Sequence, residues 1–346
     1  NVSFDAYIRD TKDMLMAGKT LPGVYGASSP RMNVADLRTK GWEASITWGD
    51  SFTLASKPFN YRIMAGIGDN TSKVTKYDNP NRTLTDPYEG QQLGEIWGYV
   101  VDGYFKTDEE ARNYKVDQSF VNQMINASAL DNGLHAGDLK FVDLDGNNKI
   151  EQTTSANDRK DMKVIGNSLP RYNYNFGISA DWYGIDFSVL FQGIGKQNWY
   201  PGAETSMFWG PYSRPYASFI PSDFMSQVWS EENTDAYFPR PRGYVALGSN
   251  RELAVVNTKY LQNLAYCRLK NLSIGYTLPD KWLSKIGFEK IRVYFSGENL
   301  LTFTKLHSDY IDPEQASASN SWKTSKSDAN IYPWAKTYSF GVDITF

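Results

Sequence analysis

Cysteine, histidine and long apolar runs are scarce in this chain. Its single cysteine, Cys267, excludes an internal disulfide framework and is expected to be structural rather than reactive. No apolar run reaches the roughly 18 residues that a membrane-spanning helix needs, and the mean hydropathy is −0.51. A formal net charge of −3, without a basic patch interleaved with aromatic residues, argues against a nucleic-acid partner.

Residues that would support catalysis are also few. The chain has 2 histidines, His135 and His307, and both lie in loop-like stretches. His307 is followed by Asp309 and Asp312, but no serine or cysteine nucleophile motif accompanies either histidine. We therefore expect no catalytic residues and no enzymatic activity.

The most informative feature is the end of the chain, where apolar and polar residues alternate. The apolar members of this alternation are Tyr338, Phe340, Val342, Ile344 and Phe346. A period of two with one apolar and one polar face predicts a β-strand that has an apolar environment on one side and water on the other. A final strand of this kind, ending in an aromatic residue, is typical of transmembrane β-barrels.

The same alternation recurs along the chain and predicts about eight strands. They are expected near residues 2–15, 40–56, 58–76, 170–183, 185–199, 260–278, 288–303 and 335–346. The long connections 77–169, 200–259 and 304–334 are expected to be extracellular loops. Short turns, one of them at Tyr183-Gly184, join the strands between these long connections. The alternation of long and short connections along the chain is typical of outer-membrane barrels.

A soluble β-sandwich is the alternative, since its strands also alternate. Three features favour the membrane barrel: the loop rhythm, the even strand number, and the concentration at strand ends of the 23 Tyr, 18 Phe and 10 Trp. The predicted fold class is therefore all-β, a transmembrane antiparallel β-barrel. The sandwich reading would instead make the chain a secreted or surface-attached soluble β-sheet protein that binds glycans.

Several sequence strings, in order along nearly the whole chain, resemble the last third of SusC/RagA-type TonB-dependent transporters. They lie at residues 7–15, 21–30, 39–43, 94–105, 137–146, 164–170, 268–279, 293–303 and 332–338. Among them are GEIWGYVVDGYF at 94–105, RLKNLSIGYTLP at 268–279 and YPWAKTY at 332–338.

This resemblance implies an architecture and a set of partners. It implies a barrel of about 22 strands in the outer membrane of a Gram-negative bacterium, a multi-pass protein of which this chain supplies the last eight or so strands. The implied partners are the N-terminal barrel and plug portion, TonB acting through that plug, a SusD-like surface lipoprotein, and outer-membrane lipid. The implied cargo is an oligosaccharide or an oligopeptide. Neither a plug nor a signal peptide is recognisable here, so we expect a removed export signal or an origin within a longer protein.

A possible cation site lies within one of the predicted loops. Asp143, Asp145 and Asn147 have the first, third and fifth spacing of an EF-hand loop, and the Lys149 carbonyl could fill the seventh position. The pattern then departs from the EF-hand, because the closing acid, Asp158, comes late. We expect either a Ca²⁺ site or an Asx-rich loop whose side chains bond their own backbone.

Loop aromatics form the second candidate site. Trp199, Tyr200, Trp209, Tyr212 and Tyr216 lie among Gly, Ser and Pro in a predicted extracellular loop. Exposed aromatic rings can stack on sugars or anchor a protein partner, so these five residues are predicted to contact the ligand or the lipoprotein. The alternative for each ring is packing between loops or a place in the aromatic belt at the membrane interface.

Overall fold

The computed structural model describes residues 1–18, 24, 26, 30–122, 133–213, 220–241, 244–248, 251–283, 287–316, 326–327 and 332–346. The strands of this part are β1 Val2–Ala17, β2 Arg31–Leu54, β3 Lys57–Lys76, β4 Glu95–Tyr99, β5 Val101–Tyr104, β6 Leu139–Phe141, β7 Met162–Asn167, β8 Arg171–Trp182, β9 Ile185–Lys196, β10 Asn198–Pro201, β11 Gln262–Asn263, β12 Tyr266–Thr277, β13 Lys290–Thr304, β14 Lys326–Ser327 and β15 Thr337–Thr345. The α-helices are α1 Asp108–Arg112, α2 Ser206–Trp209 and α3 Asp280–Leu283, and 3-10 turns span Ser119–Val121, Gly210–Tyr212, Phe224–Gln227 and Tyr244–Leu247. None of these helices combines the length and the apolar character that crossing a membrane would require.

One antiparallel sheet of 8 strands dominates the structure, in the order β1-β2-β3-β8-β9-β12-β13-β15. The predicted β-rich fold with about eight long strands is confirmed. Within the described residues, β1 and β15 each pair on one side only, so these strands form an open sheet and not a closed barrel. Each strand neighbours the next long strand in sequence, as in an up-and-down barrel.

The strand bounds differ from the expected ones in two respects. β2 begins at Arg31, before the expected start at residue 40, and β12 begins at Tyr266, after the expected start at residue 260. Short strands also occur inside the connections that were expected to be loops, namely β4 to β7 and β14. Two more, β10 and β11, occur where long strands were expected to end at residue 199 and to begin at residue 260. These strands are too short to show an alternation of apolar and polar residues, which explains why the sequence pattern did not reveal them.

The strand register gives the sheet two chemically different faces. One row across five adjacent strands consists of Ser179, Ser188, Ser273, Ser296 and Ser339. The neighbouring row on the opposite face consists of Phe187, Ile274, Phe295 and Phe340. Because side chains alternate between faces along every strand, the polar and the apolar face each extend across the sheet.

Tight turns join strands at one end of the sheet. Tyr183 and Gly184 have φ angles of 52° and 84°, so the predicted turn between β8 and β9 is present with two left-handed residues. Ala55 and Ser56 form the corresponding turn between β2 and β3 with φ angles of 49° and 63°. Two left-handed residues match the twist of a hairpin, although a residue other than Gly, Asn or Asp is strained there.

The long connections meet at the opposite end of the sheet and pack into a core of their own. Residues buried in this core come from all three long connections, for example Phe141, Tyr260 and Ile311. Hydrogen bonds also join the first two of these connections, since Tyr104 and Tyr260 share a contact of 3.0 Å between their hydroxyl groups. We refer to the described residues of this packed region, 77–122, 133–169, 197–213, 220–241, 244–248, 251–265 and 305–316, as the loop domain.

Candidate functional site

The predicted cation loop lies in the loop domain between β6 and β7. Its side chains bond the backbone of the loop: Asp143 Oδ1 and Oδ2 accept the N–H groups of Gly146 and Asn148 at 2.7 Å each. Asp145 Oδ1 accepts the N–H of Asn147 at 3.1 Å, and Asn147 Oδ1 accepts the N–H of Lys149 at 2.8 Å. This is the Asx-turn arrangement that was the alternative to a metal site.

A third carboxylate, which the sequence pattern did not identify, completes a cluster beside this loop. Oxygens of Asp143, Asp145 and Asp161 lie within 4.8 Å of one another. Asp161 is fully buried and accepts the N–H groups of Leu144 at 2.9 Å and Glu151 at 2.7 Å. Burial raises the pKa of Asp161, and the negative charges of Asp145 and Asp143 raise it further despite these two hydrogen bonds.

One of the predicted ligands, Asp158, does not take part in this cluster. Asp158 is exposed, and what it contributes locally is its backbone carbonyl, which accepts the hydroxyl of Thr153. The Lys149 side chain lies 3.5 Å from the Glu151 carboxylate, and the Lys149 carbonyl stays a predicted ligand. Asp161 thus stands where Asp158 was expected, because the chain folds back at Met162 to begin β7.

The Ca²⁺ site stays a prediction, and thermal unfolding tests it. If the three carboxylates bind Ca²⁺, saturating Ca²⁺ should stabilise the loop by about 2.7 kcal/mol at a concentration a hundredfold above Kd. The Asp161→Asn variant should lose this shift in Tm, whereas Asp158→Asn should keep it, since Asp158 lies outside the cluster. Equal shifts in both variants, or none in the unmodified protein, would contradict a site built on Asp161.

The predicted aromatic contact residues are buried. Trp199 and Tyr200 lie on β10, Trp209 on α2 and Tyr212 on the following 3-10 turn, and none of the four exposes more than 1% of its surface. Tyr216 lies outside the described residues. The exposed platform expected from these four rings is therefore not present on the surface.

Packing between loops accounts for these rings. Trp209 meets Tyr260 edge-on with ring centroids 5.2 Å apart, and Tyr212 stacks on Phe238 at 5.8 Å. Their polar atoms are satisfied inside the core, as Trp209 Nε1 donates to the Gly202 carbonyl at 2.9 Å and the Tyr200 hydroxyl donates to the Leu253 carbonyl at 2.8 Å. Such a core holds the loops in fixed positions and offers no ring face to a ligand.

His307 closes one side of this aromatic core. Its ring stacks on Tyr237 with centroids 3.5 Å apart, and its Nε2 lies 2.8 Å from Gln227 Oε1. Burial lowers the pKa of His307, an effect that the carboxylate of Asp309 partly opposes. The folded loop domain therefore favours the neutral imidazole.

The loop domain should consequently lose stability on acidification. A histidine whose pKa is lower in the folded than in the unfolded state makes its full contribution to folding stability above its unfolded pKa of 6.5. That contribution is lost as the pH falls towards the pKa of the folded state. Hydrogen exchange of the loop domain should therefore accelerate as the pH falls below about 6.5. The His307→Phe variant, which retains the ring stack but binds no proton, should lack this component. An identical pH response in this variant and the unmodified protein would contradict the assignment to His307.

A buried ionic network fastens the third long connection to the polar face of the sheet. Arg268 of β12 lies beside Gln192 and Thr302 on that face and is only 2% exposed. Its guanidinium lies 2.6 Å from both Asp312 and Glu314 and donates to the Thr302 hydroxyl at 3.0 Å. We call Arg268, Lys270, Asp312 and Glu314 the mouth network; its fourth member, Lys270, lies 2.8 Å from Glu314.

The polar face also carries a groove near the β1 edge, with a volume of about 440 Å³. Its polar lining comes from Ser3, Asp5, Tyr7, Glu43, Asn173 and Asn175. Gly66 and Gly68 form part of its floor, and their lack of side chains deepens the groove. A polar, concave surface of this kind suits water and hydrophilic solutes.

Comparison with known proteins gives relatives along the whole chain. No family model matches. A TonB-dependent receptor of Formosa agariphila is 28% identical over 364 residues, covering 100% of this chain and 32% of the relative. The TonB-dependent receptor SusC of Bacteroides thetaiotaomicron is 22% identical over 344 residues, covering 99% of this chain and 30% of the relative. This chain thus spans about a third of the length of these curated relatives.

Solved structures show the same fold. The RagAB peptide importer in its "open-open" state matches with a TM-score of 0.68 and 20% identity, covering 100% of this chain and 32% of that chain. Its "closed-closed" state matches with a TM-score of 0.64 and 21% identity, covering 33% of that chain. The resemblance to SusC/RagA-type TonB-dependent transporters that the sequence strings indicated is confirmed, and the eight-stranded sheet has the fold of part of such a barrel.

Proposed function

We propose that this chain forms part of the barrel wall and the extracellular loops of a SusC-like, TonB-dependent importer in the outer membrane. In this role the apolar face contacts lipid, the polar face lines the lumen, and the loop domain faces the outside. The eight long strands would each cross the membrane, which makes the protein multi-pass. The role is transport, and it requires no catalytic group.

The exposed apolar face is the observation that carries this proposal. Phe340 is 83% exposed, Val342 58% and Phe303 61%, and all three lie on that face. In water such a surface would be an aggregation hazard, whereas in a bilayer it is the surface that lipid covers. In the part of the chain that is described, the other sheets have 2 or 3 strands, and their strands lie within or between the long connections. The soluble-sandwich alternative, which needs a second sheet over these side chains, is therefore disfavoured.

The open edges of the sheet indicate where the remaining portions of the transporter would attach. Strands of the N-terminal barrel portion would pair with β1 and β15, and the plug would fill the lumen. Eight strands closed on themselves would leave no passage, because side chains fill the interior of a barrel that small. The plug would also supply the contact with TonB, through which import is energised.

The cargo and the lid complete the proposal. The cargo would be an oligosaccharide or an oligopeptide, too large for passive diffusion through a porin. A SusD-like lipoprotein would cover the loop domain from outside and release cargo into the lumen. The groove on the polar face and the packed core of the loop domain support both steps.

Native mass spectrometry of the detergent-extracted assembly tests this function. The complex should contain a plug-bearing barrel portion, either on the same polypeptide or as a partner, together with a lipoprotein. The matched control is the same extraction without detergent, which should yield none of the complex. Recovery of the chain as a monodisperse, detergent-free protein without a plug would favour the soluble glycan-binding alternative and overturn the proposal.

A further inference from the structure

Three cations lie together on the apolar face of the sheet, where that face ends towards the long connections. Arg38 and Lys40 of β2 continue the alternation that contains Trp42, and Lys73 of β3 lies directly opposite Arg38. The pairing of β2 with β3 is regular from there to the turn at the other end, so all three cations share the face of Trp42. We refer to Arg38, Lys40 and Lys73 as the rim cluster.

The rim cluster lies inside the sheet and not at its open edge. β2 pairs with β1 and β3, and β3 pairs with β2 and β8. A strand of another barrel portion that pairs with β1 would therefore leave this surface uncovered. Both lysines are exposed, and the Arg38 side chain is 49% exposed. The three cations are thus accessible to a partner that approaches the outer surface of the sheet.

The rim cluster carries more positive charge than the sheet neutralises. Arg38 donates to the two carboxylate oxygens of Asp10 at 2.7 and 2.8 Å. Neither lysine forms an ion pair with any of the described residues, and Asp69, the acid of β3, is already ion-paired and 8% exposed. Like charges that lie directly opposite each other on a sheet, as Arg38 and Lys73 do, are destabilising. An anion supplied from outside would relieve this repulsion.

The place of the rim cluster along the strands indicates where that anion would come from. In the proposed barrel the long connections face the outside, so these cations lie at the outer boundary of the apolar face. Trp42 is the last apolar residue of the regular alternation in β2, and indole rings favour the membrane interface. Lys40 lies two residues, or about 7 Å, farther along the strand. Its methylene stem can follow the apolar surface while its ammonium group lies among lipid head groups.

We propose that the rim cluster binds the phosphate group of an outer-leaflet lipid, whose acyl chains cover the apolar residues below it. This inference rests on the proposed import function, which places this face in the bilayer, and it names the lipid chemistry and the contact residues. Lys40 and Lys73 are the principal contacts, because Asp10 already occupies the guanidinium of Arg38. A lysine ammonium group binds phosphate as a point charge with three donors.

Native mass spectrometry of the complete, detergent-purified transporter complex tests this site by counting retained lipid. The probes are monophosphoryl lipid A and its dephosphorylated counterpart, which have the same acyl chains. The unmodified complex should retain the phosphorylated form preferentially. Lys40→Gln and Lys73→Gln should each weaken that binding about fivefold, and the double variant about 25-fold. Lys40→Arg keeps the charge and should retain most of the affinity.

The matched control is Arg62→Gln. Arg62 is an exposed cation of the same strand as Lys73, but it pairs with Ser179 and lies on the polar face. Its removal should leave lipid affinity unchanged. Equal retention of the two lipid A forms, or an equal loss in Arg62→Gln, would overturn the site. Displacement of the lipid by an equal concentration of inorganic phosphate would assign the site to free phosphate and overturn the lipid assignment.

Two further outcomes separate this site from lid docking and from failure of the underlying function. Loss of the lipoprotein from the double variant, with lipid retention unchanged, would assign the rim cluster to lid docking and overturn the proposal. If the unmodified complex does not insert into nanodiscs of neutral phosphatidylcholine, the import function fails whatever the variants do. If it inserts but does not distinguish the two lipid A forms, only the lipid site fails.

Discussion

In the proposed barrel, replacing Val342 or Ile344 with lysine should prevent assembly in the outer membrane. In β15 these residues pair with Val293 and Ile291 and lie on the apolar face, 58% and 46% exposed. A lysine facing lipid costs about 2–4 kcal/mol near the bilayer midplane and about 0–1 kcal/mol near the interface, so Val342→Lys, farther from the strand end, should have the larger effect. The loss should be measurable as reduced surface display and reduced heat-resistant, folded protein in outer-membrane fractions.

A lysine on the opposite face of the same strand is the matched control. Ser339 pairs with Ser296 in the polar row, so Ser339→Lys places the same charge on the polar face, which lines the lumen of the proposed barrel. Its display should be close to that of the unmodified protein. Normal display of Val342→Lys, or equal loss in both variants, would show that the two faces have been assigned to the wrong environments.

Removing Arg268 should release the third long connection from the polar face of the sheet. Arg268 is 2% and Asp312 7% exposed, so Arg268→Ala leaves a buried carboxylate without its cation. Breaking a buried ion pair from one side costs about 3–5 kcal/mol. Hydrogen exchange in residues 306–316 should therefore rise strongly, and limited proteolysis should cut there first.

Two further variants separate burial from charge in this prediction. Arg38 pairs with Asp10 at 2.7 Å, but both side chains are more than a third exposed and solvent screens the pair, so Arg38→Ala should leave stability close to that of the unmodified protein. The double variant Arg268→Met with Asp312→Leu removes both charges and should recover part of the loss. Unaltered exchange in Arg268→Ala would mean that the loop is held by apolar packing alone.

The alternation of residues was sufficient to predict the sheet, because a strand exposes its two faces through a period of two. The rule applies to residues as far apart as Phe4 and Phe340, and in each case the surrounding few residues are enough to recognise it. The short strands β4 to β7 escaped prediction, since a segment of 3 to 6 residues is held by its partners and not by its own pattern.

The candidate sites were predicted less well, for a reason visible in individual residues. Asp143, Asp145 and Asn147 were found because a loop of consecutive residues determines their geometry. Asp161 was missed, as its place beside them depends on the return of the chain into β7. Trp209 was expected on the surface, but its burial depends on Tyr260, which lies on a distant part of the chain.

The sequence by itself determined the strand faces and the resemblance to a family of transporters, since both are properties of local order along the chain. Only the tertiary structure decided which rings are buried, which carboxylates converge, and that Arg268 is buried between Asp312 and Glu314. Those facts arise from contacts between residues far apart in sequence, such as Arg268 with Asp312, and a linear pattern carries no record of them.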